Sequence, residues 1–374
     1  MTGNKTKLRL FGNAAEAERE LAANGPLSWA ECLKHLGRSD AEVMHRIANG
    51  RVSKAVVLGG RPTMIEVAAI EGGGVDADEA RVRAETAAGG SACRERFGPD
   101  ENPRPFCETA RRDARLAPAV AAHAKPSGSA ALRIGFPHGG ETPELRAAAA
   151  DYVREWFGLD DDLRPFYGMA RRDALLAPAV AAHAGLRLIG IPDLFEALVW
   201  SIIGQQITLG FAYAMKKRLV ETYGEALPFE TAPGEAPYRL FPRPERLAAL
   251  TPDDLRPLQF SGRKAEYVIG IARMMEEGRL SKSSLAETSE EEAREALLAI
   301  RGVGAWTADY VGMKCLRRAS AFPATDAGLH QALRSGLNLG RKPLPAEIVQ
   351  AAAPWRGHEA YAVFYLWQTL LKTN

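Results

Sequence analysis

Two apolar runs near the start of the chain, "KAVVLGG" and "TMIEVAAI", flank the turn Gly59-Gly60-Arg61-Pro62. Short β-branched runs around paired glycines predict a β-hairpin. "KLRLFG" at 7–12 and "SAALRIGF" at 129–136 predict further strands. Between them, "SWAECLKHLG" and "DAEVMHRIANG" read as short helices, with Ser28 and Asp40 near their starts and Gly37 and Gly50 at their ends. From residue 141 the apolar spacing turns helical and stays so, with no sustained strand pattern after 190. "PELRAAAADYVREWFG", "GRKAEYVIGIARMMEEG", "SEEEAREALLAI", "AWTADYVGMKCLRR", "DAGLHQALRSGL" and "GHEAYAVFYLWQTLLK" each predict one helix. "PDLFEALVWSIIGQQITLGFAYAMKKRLVETYG" predicts two that nearly touch. Ser289 and the acidic residues behind it mark a helix N-terminus. The fold class is therefore α+β: a small N-terminal antiparallel-sheet module over 1–140, then a mostly all-α core over 141–374.

A repeat interrupts this plan. "RPFCETARRDARLAPAVAAHA" at 104–124 returns as "RPFYGMARRDALLAPAVAAHA" at 164–184, with 17 of 21 positions identical. Two copies are too few for a solenoid. The second copy runs straight into "GLRLIGIPDLFEALVW" and reads as native to the fold. The first runs into the polar "KPSGSAALRIG", and the glycine-rich "EGGGVDADE" precedes it. The first copy thus reads as an insertion over about 72–131.

Composition narrows the class. With 48 Lys+Arg against 46 Asp+Glu, net charge is only +2. No apolar run is long enough for a membrane span, and no apolar signal core follows the N-terminal charges. Cys32, Cys93, Cys107 and Cys315 are scattered with no CxxC pair, so no zinc or iron–sulfur spacing is present and a reducing cytoplasm suits the chain. Neither a metal nor a cofactor is expected. Charge is concentrated locally: residues 301–342 hold seven Lys and Arg against Asp309 and Asp326. Such a stripe suits phosphate contact, and equally a solvated helix face.

"LLAIRGVGAWTADYV" is a helix, a tight turn and a helix, forming a hairpin over 296–312. Gly302 and Gly304 leave no Cβ in the way, so the backbone N–H groups of Gly302, Val303 and Gly304 can converge on one anion. Arg301 and Lys314 are nearby basic residues. This is a helix–hairpin–helix signature, a sequence-neutral grip on a DNA backbone; a plain αα-corner would use the same glycines. Asp326, in "FPATDAGLHQAL", opens the next helix. Its simplest role is an N-cap. The same placement favours a charged carboxylate, which can stabilise an oxocarbenium-like sugar while a glycosidic bond breaks.

The ordered motifs "LFEALVWSIIGQQIT", "FSGRKAEYVIGIA", "LLAIRGVGAWTADYVGM", "FPATDAGLHQAL" and "PWRGHEAYAVFYLW" resemble the helix–hairpin–helix DNA glycosylase superfamily, and within it DNA-3-methyladenine glycosylase II. The resemblance covers about 145–374, and the 60-residue duplication has no counterpart in it. It implies that Asp326 is the catalytic carboxylate and that Gly302 and Gly304 belong to the phosphate-binding hairpin. Trp306 stands where glycosylase/lyase members carry a Schiff-base lysine. A tryptophan cannot form that imine, so the resemblance implies a monofunctional enzyme. Trp306, Tyr310 (one turn on) and Trp367 resemble the aromatic walls of a base pocket, suited to a cationic N-alkylated purine; plain core packing is the alternative for Trp306. Gln206 falls at the wedge position, with Gln205 and Thr208 beside it; glutamines there could instead bind backbone. His330 reads as structural or phosphate-contacting. The implied partner is double-stranded DNA containing alkylated bases, met by a monomer in the cytoplasm beside the nucleoid. The resemblance also allows a monovalent ion at the hairpin carbonyls. Two other readings stay open: a non-catalytic damage-binding protein, and an oxidised-base glycosylase with lyase activity.

Overall fold

The computed structural model describes residues 20–70, 131–229, 231 and 235–371. "KLRLFG" and the first repeat copy lie outside the described residues. Five strands form one antiparallel sheet in the order β1-β5-β4-β3-β2. They are β1 (Glu20–Ala22), β2 (Arg46–Ala48), β3 (Arg51–Leu58), β4 (Arg61–Ala69) and β5 (Ala131–Gly135). The predicted β3–β4 hairpin is present: Leu58 pairs with Arg61 around Gly59 and Gly60, both at positive φ. That pair gives the two-residue turn whose twist matches the strands.

"DAEVMHRIANG" is not a helix. Asn49 and Gly50 have φ of 50° and 72° and close a second two-residue hairpin, pairing Ala48 with Arg51. A tight turn with two left-handed residues ends any helical path, so Arg46–Ala48 becomes an edge strand and Gly50 a turn residue. The neighbouring helix is as expected. α1 (Trp29–Leu36) starts at Ser28, whose side chain accepts from Glu31 N–H, and stops at Gly37. Its Trp29 indole donates to Gly50 O at 2.7 Å, fixing α1 to the hairpin.

Helices fill the rest. α2 (Pro143–Phe157), α3 (Leu163–Ala170) and α4 (Leu176–Ala182) come first. The second repeat copy forms most of α3 and α4 and buries Phe166, Ala170, Leu176 and Ala179, so it is part of the core. α5 (Leu194–Gly204) and α6 (Leu209–Tyr223) are the two nearly touching helices. α7 (Pro244–Ala248), α8 (Pro252–Leu255), α9 (Gly262–Glu276) and α10 (Lys282–Ala286) follow. α11 (Glu290–Leu298) and α12 (Ala305–Lys314) form the hairpin, and α13 (Ala327–Gly336), α14 (Pro345–Ala352) and α15 (Glu359–Gln368) complete the chain. Beyond residue 190 the described residues contain only one isolated bridge, Ala226 to Arg239. The α+β expectation holds.

Two apolar clusters hold these elements. The first joins the sheet (Val52, Ile65, Val67, Ile134) to α2, α3, α4, α13 and α15. The second joins α5, α6, α9, α11 and α12. Trp367 packs against both, so the seam between the clusters runs past it.

A buried ionic cluster ties the sheet to the helices. Glu196 on α5 accepts from Lys216 on α6 at 2.9 Å and lies 3.6 Å from Lys54 on β3. Lys216 also reaches Glu42 at 3.4 Å. Two ammonium groups meet two carboxylates here. Burial alone would raise Glu42, but Lys216, His45 and the Met44 N–H hold its carboxyl down to about 2. Beside it, burial first, then Lys54 and Lys216, push His45 down to about 4 from 6.5, against the pull of Glu42.

Both groups make acid destabilising. Between pH 6.5 and 4 the unfolded chain takes up a proton at His45 that the folded chain refuses, so acidification favours unfolding. Below that, protonation of Glu42 removes its contribution as pH falls from the ordinary carboxylate range towards 2. Lowering the pH from about 7.5 to about 5 should therefore cost about 2 kcal/mol at His45 alone. Urea unfolding across that range measures it, and a His45→Gln variant should show a shallower slope. A wild-type curve that is flat over this range would rule the account out.

Candidate active site

The hairpin turn is built as the glycines suggest, with two differences. Gly302 has φ of 94°, and a Cβ there would fall within the Tyr267 ring, so glycine is required twice over. Gly304 has φ of −95° and is the N-cap of α12. Nothing lies within 4 Å of where its Cβ would be, and no side chain caps the helix. Its glycine therefore supplies open space rather than positive φ. The first-turn N–H groups of α12 remain available to an outside acceptor. Val303 is buried and anchors the turn, its N–H donating to Ile300 O at 3.0 Å, so that amide serves the turn itself. Arg294 on α11 bonds Asp309 on α12 at 2.6 Å and pins the two helices together.

Asp326 is the N-cap of α13, and its Oδ1 accepts from Leu329 N–H at 2.7 Å. The capping expectation is met, and two further donors converge on the same carboxylate. Trp306 Nε1–H donates to Oδ2 at 2.8 Å, and Trp367 Nε1–H donates to Oδ1 at 2.7 Å. Asp326 is only 8% exposed. A Cβ at Gly328 would lie 3.0 Å from both Asp326 Oδ1 and Trp367 Cδ1, so glycine there lets the second indole approach. Trp306 stacks on Tyr310 with ring centroids 5.2 Å apart, and Tyr310 lies 6.3 Å from Trp367. Tyr310 is held from behind by the Trp200 indole, which donates to its hydroxyl at 2.9 Å. The four predicted residues Asp326, Trp306, Tyr310 and Trp367 thus form one constellation. Trp306 also packs against the second core, so both readings of it describe part of what it does.

The loop between α5 and α6 lies against the hairpin. Gln205 Nε2 donates to Gly302 O at 3.0 Å and to Thr307 Oγ1 at 3.2 Å. Lys264 Nζ donates to the carbonyls of Ile203 and Gln205, at 2.7 and 2.8 Å. Backbone bonding therefore belongs to Gln205, while Gln206 is exposed at φ of 57°, at the tip. Thr208 caps α6 by accepting from Phe211 N–H. Beside it Leu209 is 53% exposed, an apolar side chain left in solvent at the same tip. Lys264, Gly328 and Leu209 escape sequence reasoning. The one signal for Lys264 is its place in the first turn of "GRKAEYV", where a cation is unfavourable unless it has another use.

The basic stripe reaches the surface only in part: Arg301, Arg334, Arg341 and Lys342 are exposed, whereas Lys314, Arg317 and Arg318 turn inward. Lys314 is 4% exposed and donates to Ile189 O, and burial, then Arg38 and Arg317, push its pKa well below the ordinary lysine value. It cannot reach a phosphate, so its predicted DNA contact is withdrawn. Trp306, Tyr310 and Lys314 recur every four residues, and the face that carries the aromatics carries Lys314 inward. Arg317 pairs with Asp161 and donates to Leu188 O, and Arg318 bonds the carbonyls of Leu285 and Thr288. Arg301 stays 78% exposed with Glu266 at 2.8 Å, a surface pair that a phosphate could displace at little cost. His330 bonds its own loop, Nε2 lying 2.8 Å from Ala324 O, which is the structural half of its expectation.

Residues 199–356 match the family model for the HhH-GPD superfamily base excision DNA repair protein. A DNA-3-methyladenine glycosylase of Bacillus subtilis is 47% identical over 225 residues, 60% of this chain and 73% of that protein. The chain belongs to the HhH-GPD superfamily. DNA-3-methyladenine glycosylase 2 of Escherichia coli is 32% identical over 189 residues, half of this chain and 62% of its own length. Among solved structures, a 3-methyladenine DNA-glycosylase from Archaeoglobus fulgidus shares the fold at a TM-score of 0.68 and 19% identity, over 93% of this chain and 97% of that one. An HhH-GPD fold thus accounts for the sheet, the helical array and the hairpin together.

Proposed function

We propose that this HhH-GPD protein is a monofunctional DNA glycosylase that removes N-alkylated purines, of the 3-methyladenine type, from double-stranded DNA in base excision repair. The observation that carries the proposal is the pairing of Trp306 with Asp326: an indole, not an amine, contacts the carboxylate. The α12 N-terminus and the amides of Gly302 and Gly304 hold a backbone phosphate, with Val303 anchoring the turn and Arg301 beside it. Gln206, with Thr208 and Leu209 on the same tip, fills the stack when a nucleotide is flipped. The cationic base lies against Trp306, Tyr310 and Trp367, where ring faces favour positive charge. Its charge makes it a ready leaving group, so Asp326 serves chiefly to face the sugar as C1′ becomes cationic. The C1′–N bond breaks with both electrons going to the base, which leaves neutral; water then adds its oxygen to C1′ and gives up a proton to solvent, leaving an abasic site. All these residues lie on one chain, so a monomer suffices. It works on chromosomal DNA in the cytoplasm, beside the nucleoid.

The test is incubation with methylated duplex DNA in the presence of borohydride. The expected result is released 3-methyladenine, intact abasic strands and no protein–DNA adduct. A trapped adduct would show an imine and restore the lyase reading. Binding without any released base would return the protein to a damage-binding role.

A further inference from the structure

Behind Tyr310 lies a cavity of about 50 Å³, lined by His35, Arg38, Trp200, Tyr213 and Lys314 among others. It holds room for a few waters, not a whole base. Tyr310 is common to this cavity and to the aromatic constellation at Asp326, so the cavity borders that constellation. The lining contains a buried polar atom without a partner. His35 is 6% exposed, and its Nε2 has no hydrogen bond.

The surrounding hydrogen bonds fix the state of that ring. Gln368 Nε2 donates to Phe364 O at 2.8 Å, which orients the amide and turns its Oε1 towards His35 Nδ1, 3.1 Å away. Nδ1 therefore carries the hydrogen. Burial, then Arg38 and Lys314, push the His35 pKa well below its ordinary value, so the ring is neutral. Nε2 is then a bare acceptor on a ring that lines the cavity. Orphaned buried acceptors are costly, and a ligand donor is one reason to retain one. Arg38 supplies the complementary group. Its guanidinium lies 5.7 Å over the Tyr213 ring and donates to His35 O at 2.7 Å, with no carboxylate partner among the described residues. Arg38 lines the same cavity.

We propose that His35 and Arg38 form the deep end of the base pocket and read the 6-position of a flipped purine, Arg38 donating to an O6 carbonyl and His35 Nε2 accepting from N1–H. This rests on the glycosylase reading above. With the sugar at Asp326 and the ring beside Tyr310, the far edge of the base enters this cavity. A 6-oxopurine offers an acceptor and a donor side by side, as this pair requires. An adenine derivative offers an amino group at position 6, which sets donor against donor at Arg38.

Dimethyl sulfate-treated DNA tests this in one tube, because it carries both 7-methylguanine, which has O6, and 3-methyladenine, which does not. Both are cationic, so the ratio of the two released bases isolates the edge contact. Arg38→Ala is expected to lower the ratio of 7-methylguanine to 3-methyladenine at least about tenfold, the usual scale for losing a charge-assisted hydrogen bond. His35→Phe keeps a ring against Phe364 and should lower the ratio in the same direction. An unchanged ratio in Arg38→Ala, or equal slowing of both bases, would overturn the proposal while leaving the glycosylase reading intact. Release of neither base by the wild type would remove the glycosylase reading, and this one with it.

Discussion

Asp326→Asn is expected to lower single-turnover base release from methylated DNA by on the order of 10³-fold while DNA binding persists. Asparagine is as good an N-cap as aspartate, so α13 should still start at 326 and accept from Leu329 N–H. The shape around Trp306 and Trp367 is nearly unchanged. On the proposed mechanism, what is lost is the negative charge that faces the sugar, and with it the stabilisation of a cationic C1′. One of the two indole donors also loses a carboxylate oxygen. Release should be compared at equal DNA occupancy, so that a binding defect cannot imitate a chemical one. Activity within about tenfold of wild type would end the catalytic role of Asp326 and leave it as a cap.

The second large effect is on stability. Glu196→Ala should destabilise the fold by about 3–5 kcal/mol, because it leaves Lys54 and Lys216 buried with only Glu42 nearby. The lysines come from β3 and α6, so the loss would loosen the sheet against the helical core. Burial is the largest single influence on both ammonium groups and works against them; Glu196 outweighs it only together with Tyr152 and Glu42 at Lys54, and with Glu42 at Lys216. Pairing Glu196→Leu with Lys54→Met should recover part of the loss, since an apolar replacement of the pair strands less charge. Urea unfolding of the full chain decides it. A loss under about 1 kcal/mol in the single variant would mean that water reaches the cluster and shields it.

Legibility in the sequence follows how local each signal is. The hairpin is readable because "RGVG" is contiguous and Gly302 has a steric reason that no other residue meets. Asp326 is readable for the same kind of reason, since an N-cap is a short-range pattern. Its two indole partners come from α12 and α15, and only the family resemblance brings them together. The ionic cluster leaves one trace in the sequence, a lone glutamate inside the apolar run "LFEALVW". A buried helix does not carry an acid without a partner, but the partners lie on distant segments that no periodicity connects. The expectations for Lys314 and for "DAEVMHRIANG" fail for a common reason. Lys314 sits in a linear window rich in charge, although helical spacing sends it inward. "DAEVMHRIANG" has helix-like apolar spacing, although Asn-Gly is a hairpin signal. In both, a weak average over a stretch yields to a specific local constraint.

The two indoles on Asp326 also give the molecule an optical property. The chain has six tryptophans. Trp29, Trp156, Trp200 and Trp355 are buried, whereas Trp306 and Trp367 alone are partly open to solvent. A water-borne quencher should therefore dim the light from the two rings at the Asp326 carboxylate and little else. Their emission is also tuned by the charge to which both N–H groups point. On the proposed function, a base entering beside these rings should change their colour and brightness without any dye attached, a built-in gauge of whether a base has arrived.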